Sequence, residues 1–331
     1  MEPSTTENQS SANPALPPMA GRYAPALTNG KSEQKQDTKS EPAPIPDPDH
    51  RTGRIAILAD IHANLQALVA VLREVQVSGA ERIVFLGDVV GYGAAPAECV
   101  ELIRKLGGDC VTGNHEEAVR MVRRRGLRNM PTDWKGDGYL AGLVHSAKSL
   151  NDEQVGWLTE LPYYLRIPGA VVAHACLENE QRFRYVEDAA AAAPTLALLK
   201  LDRHNVGFFG HTHVQEVFPD PAGDVEWLDE TRFRVPVGMS CVVMVGAVGQ
   251  PRHVADRRAS WVVWDADKRV VELRRTEYKR LSAAKAIIQA GLPAESAMRL
   301  LTEPETAILE NWILSDPRVG HAGHLAKAGH P

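Results

Sequence analysis

The chain has 331 residues, of which 44% are hydrophobic and 24% are charged, so it can bury a large core. Its formal net charge of -5 provides no global basic field, which excludes long nucleic-acid duplexes as expected partners. No run approaches the roughly 18 apolar residues of a membrane span, and no leader with a basic start and an apolar run is present. We therefore expect a cytoplasmic protein that binds no membrane.

The first fifty residues differ in composition from the rest of the chain. They contain nine of its 22 prolines, many Ser, Thr, Gln, Asn and Lys residues, and almost no clustered large apolar residues. Such a segment buries too little surface to offset the entropy of ordering it. We therefore predict a disordered tail at 1–50, a folded domain at 51–281, helices packed on that domain at 282–316, and a flexible tail at 317–331.

Five polar motifs each follow a short apolar run. The runs are rich in β-branched and aromatic residues without polar alternation, which predicts strands covered on both faces. They occupy residues 54–59, 82–86, 109–112, 170–173 and 206–209. The motifs after them are Asp60-Ile-His62, Gly87-Asp88, Gly113-Asn114-His115-Glu116, Ala173-His174 and Gly210-His211-Thr212-His213. Because α/β folds group ligands at the carboxyl ends of strands, we expect the motifs to meet at one site.

Three of these motifs carry a glycine at the strand exit. Gly87, Gly113 and Gly210 are expected to permit tight turns with positive φ, which L side chains rarely adopt. The same property lets a backbone approach a metal ion closely, so a structural and a functional use can coexist at each position.

Helical spacing of apolar residues predicts helices between and after these strands. The predicted helices lie at 65–75, 96–106, 116–125, within 126–162 with an Asn151-Asp152 cap, at 189–193, and at 282–290, 294–301 and 305–314. Runs at 241–245, 260–264 and 269–273 are predicted as strands of a second sheet. The last helix carries an apolar stripe with Trp312, which either packs on the domain or mediates formation of a homo-oligomer.

The motif residues form a donor set of two carboxylates, one carboxamide oxygen and four imidazoles. Mixed oxygen and nitrogen donors suit Mn, Fe, Co, Ni or Zn. Two such ions about 3.5 to 4 Å apart stabilise both the attacking and the leaving oxygen of an in-line displacement at phosphorus. Hydrolysis of phosphate esters is the obvious use of such a site. The four cysteines form no Cys-x-x-Cys pair, and reduced, buried thiols are expected, with a packing role favoured over a ligand role for Cys176.

The five motifs, in this order, resemble those of the calcineurin-like metallophosphoesterase superfamily, from about residue 54 to residue 293. The segments 87–93, 248–252 and 278–293 resemble its small prokaryotic phosphodiesterase branch. The resemblance implies an α/β fold, a four-layer α-β-β-α sandwich of two mixed β-sheets flanked by helices. It also implies a phosphodiesterase or phosphatase that acts on small phosphorylated substrates such as nucleotides.

The resemblance implies a role for each motif residue. It assigns one ion to Asp60, His62 and His213, the other to Asn114, His174 and His211, and a bridging position to Asp88. We expect two divalent ions per chain, Mn first, with Fe, Ni, Co or Zn as alternatives. The implied nucleophile is metal-bound hydroxide. His115 stays free of metal, and it protonates the leaving oxygen or stabilises the charge that develops there.

Substrate contacts depend on residues outside the ligand set. Protein Ser/Thr phosphatases of the superfamily continue Gly-Asp-x-x with Asp-Arg-Gly, whereas this chain has Gly91-Tyr92-Gly93, so a protein phosphatase is disfavoured. Arg252 is the first candidate for the phosphate contact, ahead of Arg182 and Arg184. Tyr92 either stacks on a base or packs at the rim of the site.

Two non-enzymatic functions are alternatives to phosphate ester hydrolysis. Some members of the superfamily are non-catalytic binding scaffolds, usually with the catalytic histidine replaced, and a nucleotide sensor with incidental turnover is the other alternative. His115 and every expected ligand are present in this chain, which favours the enzyme. Glu116 stands where an aspartate often follows that histidine, and it is expected to orient His115 or to cap the next helix.

Overall fold

Two β-sheets lie face to face in the computed structural model of the chain. The structure describes residues 53–126, 138–201, 204–253 and 255–315. The tails predicted at 1–50 and 317–331, and the first part of the helical segment predicted within 126–162, lie outside these residues.

Twelve strands are formed by the described residues. In chain order they are β1 (Arg54–Leu58), β2 (Arg82–Phe85), β3 (Asp109–Cys110), β4 (Tyr164–Ile167), β5 (Ala170–Ala173), β6 (Val206–Phe209), β7 (Gln215–Pro219), β8 (Glu226–Trp227), β9 (Arg232–Arg234), β10 (Cys241–Val245), β11 (Ala259–Asp265) and β12 (Val270–Thr276). One sheet has seven strands in the order β3-β2-β1-β11-β12-β9-β8, and the other has five in the order β4-β5-β6-β10-β7. Both sheets are mixed, with β1, β2 and β3 parallel in the first and β5, β6 and β10 parallel in the second.

The central strands are buried on both faces because alternate side chains enter different apolar layers. In β1, Ile55 and Ile57 pack between the two sheets, whereas Ala56 and Leu58 pack under helices. In β11, Trp264 lies between the sheets and Trp261 lies on the helical side. A strand of this kind has no polar face, which explains the continuous apolar runs of the sequence.

The prediction that 241–245, 260–264 and 269–273 share a second sheet is wrong for two of the three runs. Only β10 lies in the five-stranded sheet, and β11 and β12 belong to the sheet of β1. The prediction failed because β11 pairs antiparallel with β1, with Ile57 opposite Val262. An apolar strand does not reveal its partner in its own sequence, so this pairing could not be read from composition.

Nine helices of the described residues cover the outer faces of the sheets. They are α1 (Leu65–Val77), α2 (Pro96–Leu106), α3 (Asn114–Arg125), α4 (Gly138–Ser149), α5 (Asp152–Glu160), α6 (Ala189–Leu201), α7 (Arg280–Gln289), α8 (Ala294–Met298) and α9 (Glu303–Ser315). Helix α6 packs on the five-stranded sheet, and the others share one apolar layer with the seven-stranded sheet. The architecture is the predicted four-layer α-β-β-α sandwich.

Several helix ends differ from the predicted ones. Helix α3 begins at Asn114 and not at Glu116, and α8 ends at Met298, which is shorter than predicted. Asn151 caps α5 by accepting a hydrogen bond from the Gln154 N–H at 2.8 Å, as predicted. Leu106, whose helical spacing with Val100 and Ile103 predicted a place on the apolar face of α2, is 44% exposed because it is the last residue of the helix.

The stripe on α9 packs on the domain. Leu309 and Ile313 are buried in the helical layer, and Trp312 is partly buried against it with the Lys285 ammonium 4.9 Å from its ring centre. Ile308 remains 52% exposed. Among the helices that the structure describes, none is long and apolar enough to cross a lipid bilayer.

Candidate metal centre

All five motifs meet at the carboxyl ends of the parallel strands of the two sheets. The motifs after β1, β2 and β3 come from one sheet, and those after β5 and β6 come from the other. Five of the seven predicted ligands have left-handed backbone conformations, which cost on the order of 1 kcal/mol each in an L residue. Their φ angles are 54° at Asp60, 45° at His62, 51° at Asp88, 69° at His211 and 64° at His213. The concentration of backbone strain at these five residues indicates a functional site.

Asp60, His62 and His213 form the first donor group. The His62 Nε2 lies 3.0 Å from the His213 Nε2, and the Asp60 Oδ1 lies 3.4 Å from the latter and 3.7 Å from the former. All three side chains are buried, and their donor atoms lie close enough together to hold one ion.

His174, His211 and Asn114 form the second donor group, with Asp88. The His174 Nε2 lies 3.0 Å from the Asn114 Oδ1, 3.2 Å from the His211 Nδ1 and 3.3 Å from the Asp88 Oδ2. The same Asp88 oxygen lies 3.8 Å from the His62 Nε2 of the first group. Asp88 therefore lies between the two groups.

His115 stands beside this pair of groups. Its Nε2 lies 3.7 Å from the Asp88 Oδ2, and its Nδ1 is buried without a hydrogen-bond partner. Its backbone N–H donates to the Asp88 Oδ1 at 2.9 Å. Burial lowers the pKa of the His115 ring to about 4.

The tautomers of the histidines show that the groups fit a cation. The Nδ1 of His62 lies 3.1 Å from the Val90 carbonyl oxygen, and the Nδ1 of His213 lies 2.7 Å from that of Gln250. A carbonyl only accepts, so each Nδ1 carries the proton and each Nε2 presents a lone pair. Two lone pairs that face each other at 3.0 Å repel unless a cation lies between them. Donors bound to one ion at about 2.1 Å stand about 3 Å apart when the bonds meet at a right angle.

The pKa values of the cluster agree with this fit. Burial lowers the pKa of His62 and of His213 well below the usual range, which keeps both rings neutral, as metal ligands must be. Burial also lowers the pKa of His174, but the Asp88 carboxylate outweighs it and raises the value to about 9. The second group therefore favours positive charge at its centre.

The glycines at the strand exits are required more for the space that a missing side chain leaves than for a positive φ. Only Gly87 has positive φ, at 80°, so the expectation for Gly113 and Gly210 is wrong. A Cβ on Gly113 would lie 2.2 Å from the Asp88 Oδ1, and one on Gly210 would lie 2.4 Å from the Asp60 Oδ2. These two glycines leave the space that the carboxylates occupy.

Glu116 supports the loop after β2. It is buried, and its carboxylate accepts hydrogen bonds from the N–H groups of Asp88 and Gly113 at 2.8 Å, Val89 at 2.9 Å and Val90 at 3.3 Å. The Val90 carbonyl in turn holds His62. Glu116 therefore caps α3 through the Gly113 N–H, the second of its two predicted roles, and it also positions the loop that carries Asp88 and orients His62.

An aromatic rim surrounds the cluster, and two of its members were missed in the sequence. Tyr139 lies with its ring centre 4.9 Å from that of His115, and its hydroxyl hydrogen-bonds the Asn114 side chain. Tyr185 stacks on His211 at 4.0 Å. Tyr139 lies within the segment 126–162, which the resemblance to the superfamily implied would cover the site, whereas nothing in the sequence marked Tyr185. Tyr92 packs edge-on against His62 at 4.8 Å, so it belongs to the rim.

The three arginines proposed as phosphate contacts, and Cys176, have different surroundings. Arg252 is half-buried, and its backbone N–H donates a hydrogen bond to the His213 carbonyl at 3.2 Å. The positive charge of its guanidinium lowers the pKa of His211 and of His213. Arg184 is bound to Glu178 and to the Ala191 carbonyl, and Arg182 is exposed. Cys176 is buried outside the donor groups of the described residues, and its Sγ faces the Asn179 carbonyl at 3.7 Å.

Comparisons with known proteins indicate the family to which the chain belongs. The sequence model of the calcineurin-like phosphoesterase family matches residues 53–215. An uncharacterised protein of Methanocaldococcus jannaschii, MJ0912, is 30% identical over 250 residues, which cover 74% of this chain and 96% of that protein. A metallophosphoesterase from Sphaerobacter thermophilus is similar in structure, with a TM-score of 0.60 and 29% identity over 75% of this chain and 98% of that one.

A third comparison supports the fold alone. The hypothetical protein PH1004 from Pyrococcus horikoshii OT3 has a TM-score of 0.59 and 20% identity, over 75% of this chain and 97% of that one. Residues 53–215, which match the family model, include the strands β1, β2, β3, β5 and β6 that precede the donor groups. The chain is therefore a member of the calcineurin-like phosphoesterase family and a phosphoric ester hydrolase.

Proposed function

We propose that the protein hydrolyses phosphodiesters or phosphomonoesters of small molecules such as nucleotides, with two divalent ions in the two donor groups. The observation that carries the proposal is the position of the Asp88 Oδ2, 3.3 Å from the His174 Nε2 and 3.8 Å from the His62 Nε2. A carboxylate in that position can serve two ions at once. Bound ions supply Lewis acidity and a nucleophile derived from water near neutral pH.

The side chains of the protein supply orientation and proton transfer. His115, whose Nε2 lies 3.7 Å from the Asp88 Oδ2, donates a hydrogen bond or a proton to the leaving oxygen. Arg252 contacts the phosphate, because its half-buried guanidinium already acts electrostatically on Asp60 and the histidines. The amino end of α3, at Asn114, adds partial positive charge where an anion would bind.

Small substrates are favoured by the narrowness of the site. His115 is only 2% exposed and His211 only 6% exposed, because Tyr92, Tyr139 and Tyr185 surround the cluster. Such burial favours a small ester over one that is carried on the surface of a folded protein. The absence of the Asp-Arg-Gly sequence, with Gly91-Tyr92-Gly93 in its place, agrees with this restriction.

The finer properties follow from the same residues. We propose Mn first among the metals, since neutral imidazoles and carboxylates together suit borderline divalent ions, with Fe, Ni, Co or Zn as alternatives. We propose a cytoplasmic location, supported by four buried cysteines that are all unpaired.

The proposal is tested with metal-stripped protein and two aryl substrates, bis(p-nitrophenyl) phosphate and p-nitrophenyl phosphate. Activity should return when Mn, Ni, Co, Zn or Mg is added back, and calorimetry should count two bound ions. His115→Ala should lower kcat by about a hundredfold because it removes the proton donor. The exposed His253 provides a matched control, and His253→Ala should retain wild-type turnover.

The ratio of diester to monoester rates will rank the two substrate classes. Absence of turnover with every metal, in a folded protein that binds two ions, would contradict the proposal. The scaffold or the nucleotide sensor would then be the better description.

A further inference from the structure

The four histidines of the two donor groups differ in how their rings are held. In three of them, the ring nitrogen that faces away from the donor group lies against a backbone carbonyl. The pairs are His62 Nδ1 with Val90 at 3.1 Å, His213 Nδ1 with Gln250 at 2.7 Å and His174 Nδ1 with Leu86 at 2.7 Å. A bond of this kind fixes the tautomer and the orientation of a metal-binding imidazole, and its loss typically costs about ten- to a hundredfold in metal affinity.

Among the residues that the structure describes, His211 has no such carbonyl partner. Its Nδ1 lies 3.2 Å from the His174 Nε2 and faces the second donor group, so its Nε2 is the nitrogen that carries the proton. That Nε2 is buried without a hydrogen-bond partner within the described part of the chain. The backbone N–H of His211 donates to the Asp60 carboxylate at 2.9 Å, but this bond does not restrict rotation of the ring about the side-chain bonds. Packing must therefore orient this ligand.

Tyr185 supplies that packing. Its ring stacks on the His211 ring with the centres 4.0 Å apart and an angle of 24° between the planes. A flat neighbour at this distance leaves the imidazole little room to turn out of its plane. Tyr185 is 41% exposed, so its ring adds little to the apolar core. Its position is thus better explained by the ligand that it covers than by burial of its own surface.

Tyr185 is held in place by its neighbours on both sides along the chain. The Arg184 guanidinium donates to the Glu178 carboxylate through Nε at 2.8 Å. The other Glu178 oxygen accepts from the Thr195 hydroxyl of α6 at 2.6 Å. On the other side, Val186 is 1% exposed in the apolar layer that it shares with α6. Tyr185 therefore lies between an anchored ion pair and a buried side chain.

We propose that Tyr185 is a positioning residue for phosphate ester hydrolysis, because its stacked ring takes the place of a hydrogen bond from Nε2 and keeps the His211 Nδ1 directed at the second donor group. Glu178 and Arg184 contribute by fixing Tyr185. The inference rests on the proposed function, since it assumes that a divalent ion binds in that group. Both histidines of the first donor group have carbonyl partners, so the effect of Tyr185 should be confined to the second group.

Calorimetric titration of the metal-stripped protein with Mn²⁺ tests the proposal. Tyr185→Ala should raise the Kd of the ion in the second group about tenfold, as expected for one lost orienting contact, and leave the Kd of the other ion within about twofold. Asn114→Ala, which removes a ligand of the second group alone, identifies the ion to which each Kd belongs. Tyr185→Phe keeps the stacked ring and should bind both ions as the wild type does.

Matched controls separate the stack on His211 from general effects of a surface change. Tyr164 of β4 is 42% exposed and lies 5.5 Å from the Arg166 guanidinium, and Tyr164→Ala should change neither Kd. Glu178→Gln weakens the bond to Arg184 and should raise the Kd of the second ion about threefold. Glu187→Gln makes the same change on an exposed residue close by and should leave both Kd values as they are.

Turnover provides a second readout. Hydrolysis of bis(p-nitrophenyl) phosphate by Tyr185→Ala should fall at limiting Mn²⁺ and return to within about twofold of the wild-type kcat at saturating Mn²⁺, with KM unchanged. Thermal unfolding shows whether this variant is folded. If it is not, Tyr185→Leu, which keeps apolar bulk without a flat ring, takes its place with the same expected Kd values.

The outcomes separate the inference from the proposed function. Unchanged Mn²⁺ affinity in Tyr185→Ala, or equal weakening of both ions, would overturn the inference and leave the hydrolase intact. A higher KM with unchanged Mn²⁺ affinity would make Tyr185 a substrate contact and would also overturn it. If the wild-type protein binds Mn²⁺ in the first donor group alone, the two-ion function fails, and the inference fails with it.

Discussion

Gly91→Ala is expected to lower phosphate ester hydrolysis by about a thousandfold, more than removal of the His115 ring alone. An alanine Cβ at this position would lie 1.9 Å from the His115 Nδ1, so the ring and the loop cannot both stay in place. Gly91 also has a φ of 88°, a conformation that alanine rarely adopts. The loop that would move carries Asp88 and the Val90 carbonyl that orients His62.

The effect of Gly91→Ala is measured as kcat for the aryl diester, with metal content and the free energy of unfolding determined on the same sample. Backbone strain and the clash together should cost about 3 kcal/mol of stability. Gly156→Ala is the matched control, because Gly156 lies exposed in α5 and a Cβ there would meet nothing within 4 Å. That control should gain about 0.5 to 1 kcal/mol from better helix propensity and keep full activity.

Retention of activity within threefold of wild type by Gly91→Ala would mean that His115 is not needed where the structure places it. A loss of activity that was caused only by unfolding would be seen in the melting curve. In that case the His115→Ala variant would test the role of the His115 ring.

Glu116→Gln is expected to lower the free energy of unfolding by about 4 kcal/mol. One carboxylate oxygen accepts from Asp88 and Gly113, and the other accepts from Val89 and Val90. An amide keeps one acceptor and turns an NH₂ group toward the other pair of N–H groups, which lose their partner in a buried place. The change also loosens Asp88, so bound metal and hydrolysis should fall together.

The neighbouring residue provides the control for Glu116. Glu117 is half-buried and accepts from the Tyr163 hydroxyl at 2.8 Å and from Arg120, so Glu117→Gln weakens one ion pair and leaves the backbone N–H contacts of Glu116 in place. It should change stability by less than about 1 kcal/mol. Chemical denaturation of both variants at equal metal concentration gives the comparison. Equal stability of the two variants would show that the four N–H contacts of Glu116 do not support the loop.

The order of the motifs predicted that their side chains would meet at the strand ends, because an apolar run followed by Asp-x-His or Gly-His-x-His is typical of a buried strand with polar ligands beyond it. The layered fold followed from the resemblance of these motifs to those of the calcineurin-like superfamily. The helix caps at Asn151 and near Asn114 are local in the same way, and they were found within two residues.

Contacts between distant parts of the chain required the folded structure. The pairing of β11 with β1, the stacking of Tyr185 on His211 and the approach of Tyr139 to Asn114 join segments whose own patterns do not name a partner. The space for Asp88 beside Gly113 is likewise a property of packing. A residue type determines which bonds a side chain can make, whereas only the close-packed interior determines which of them are made.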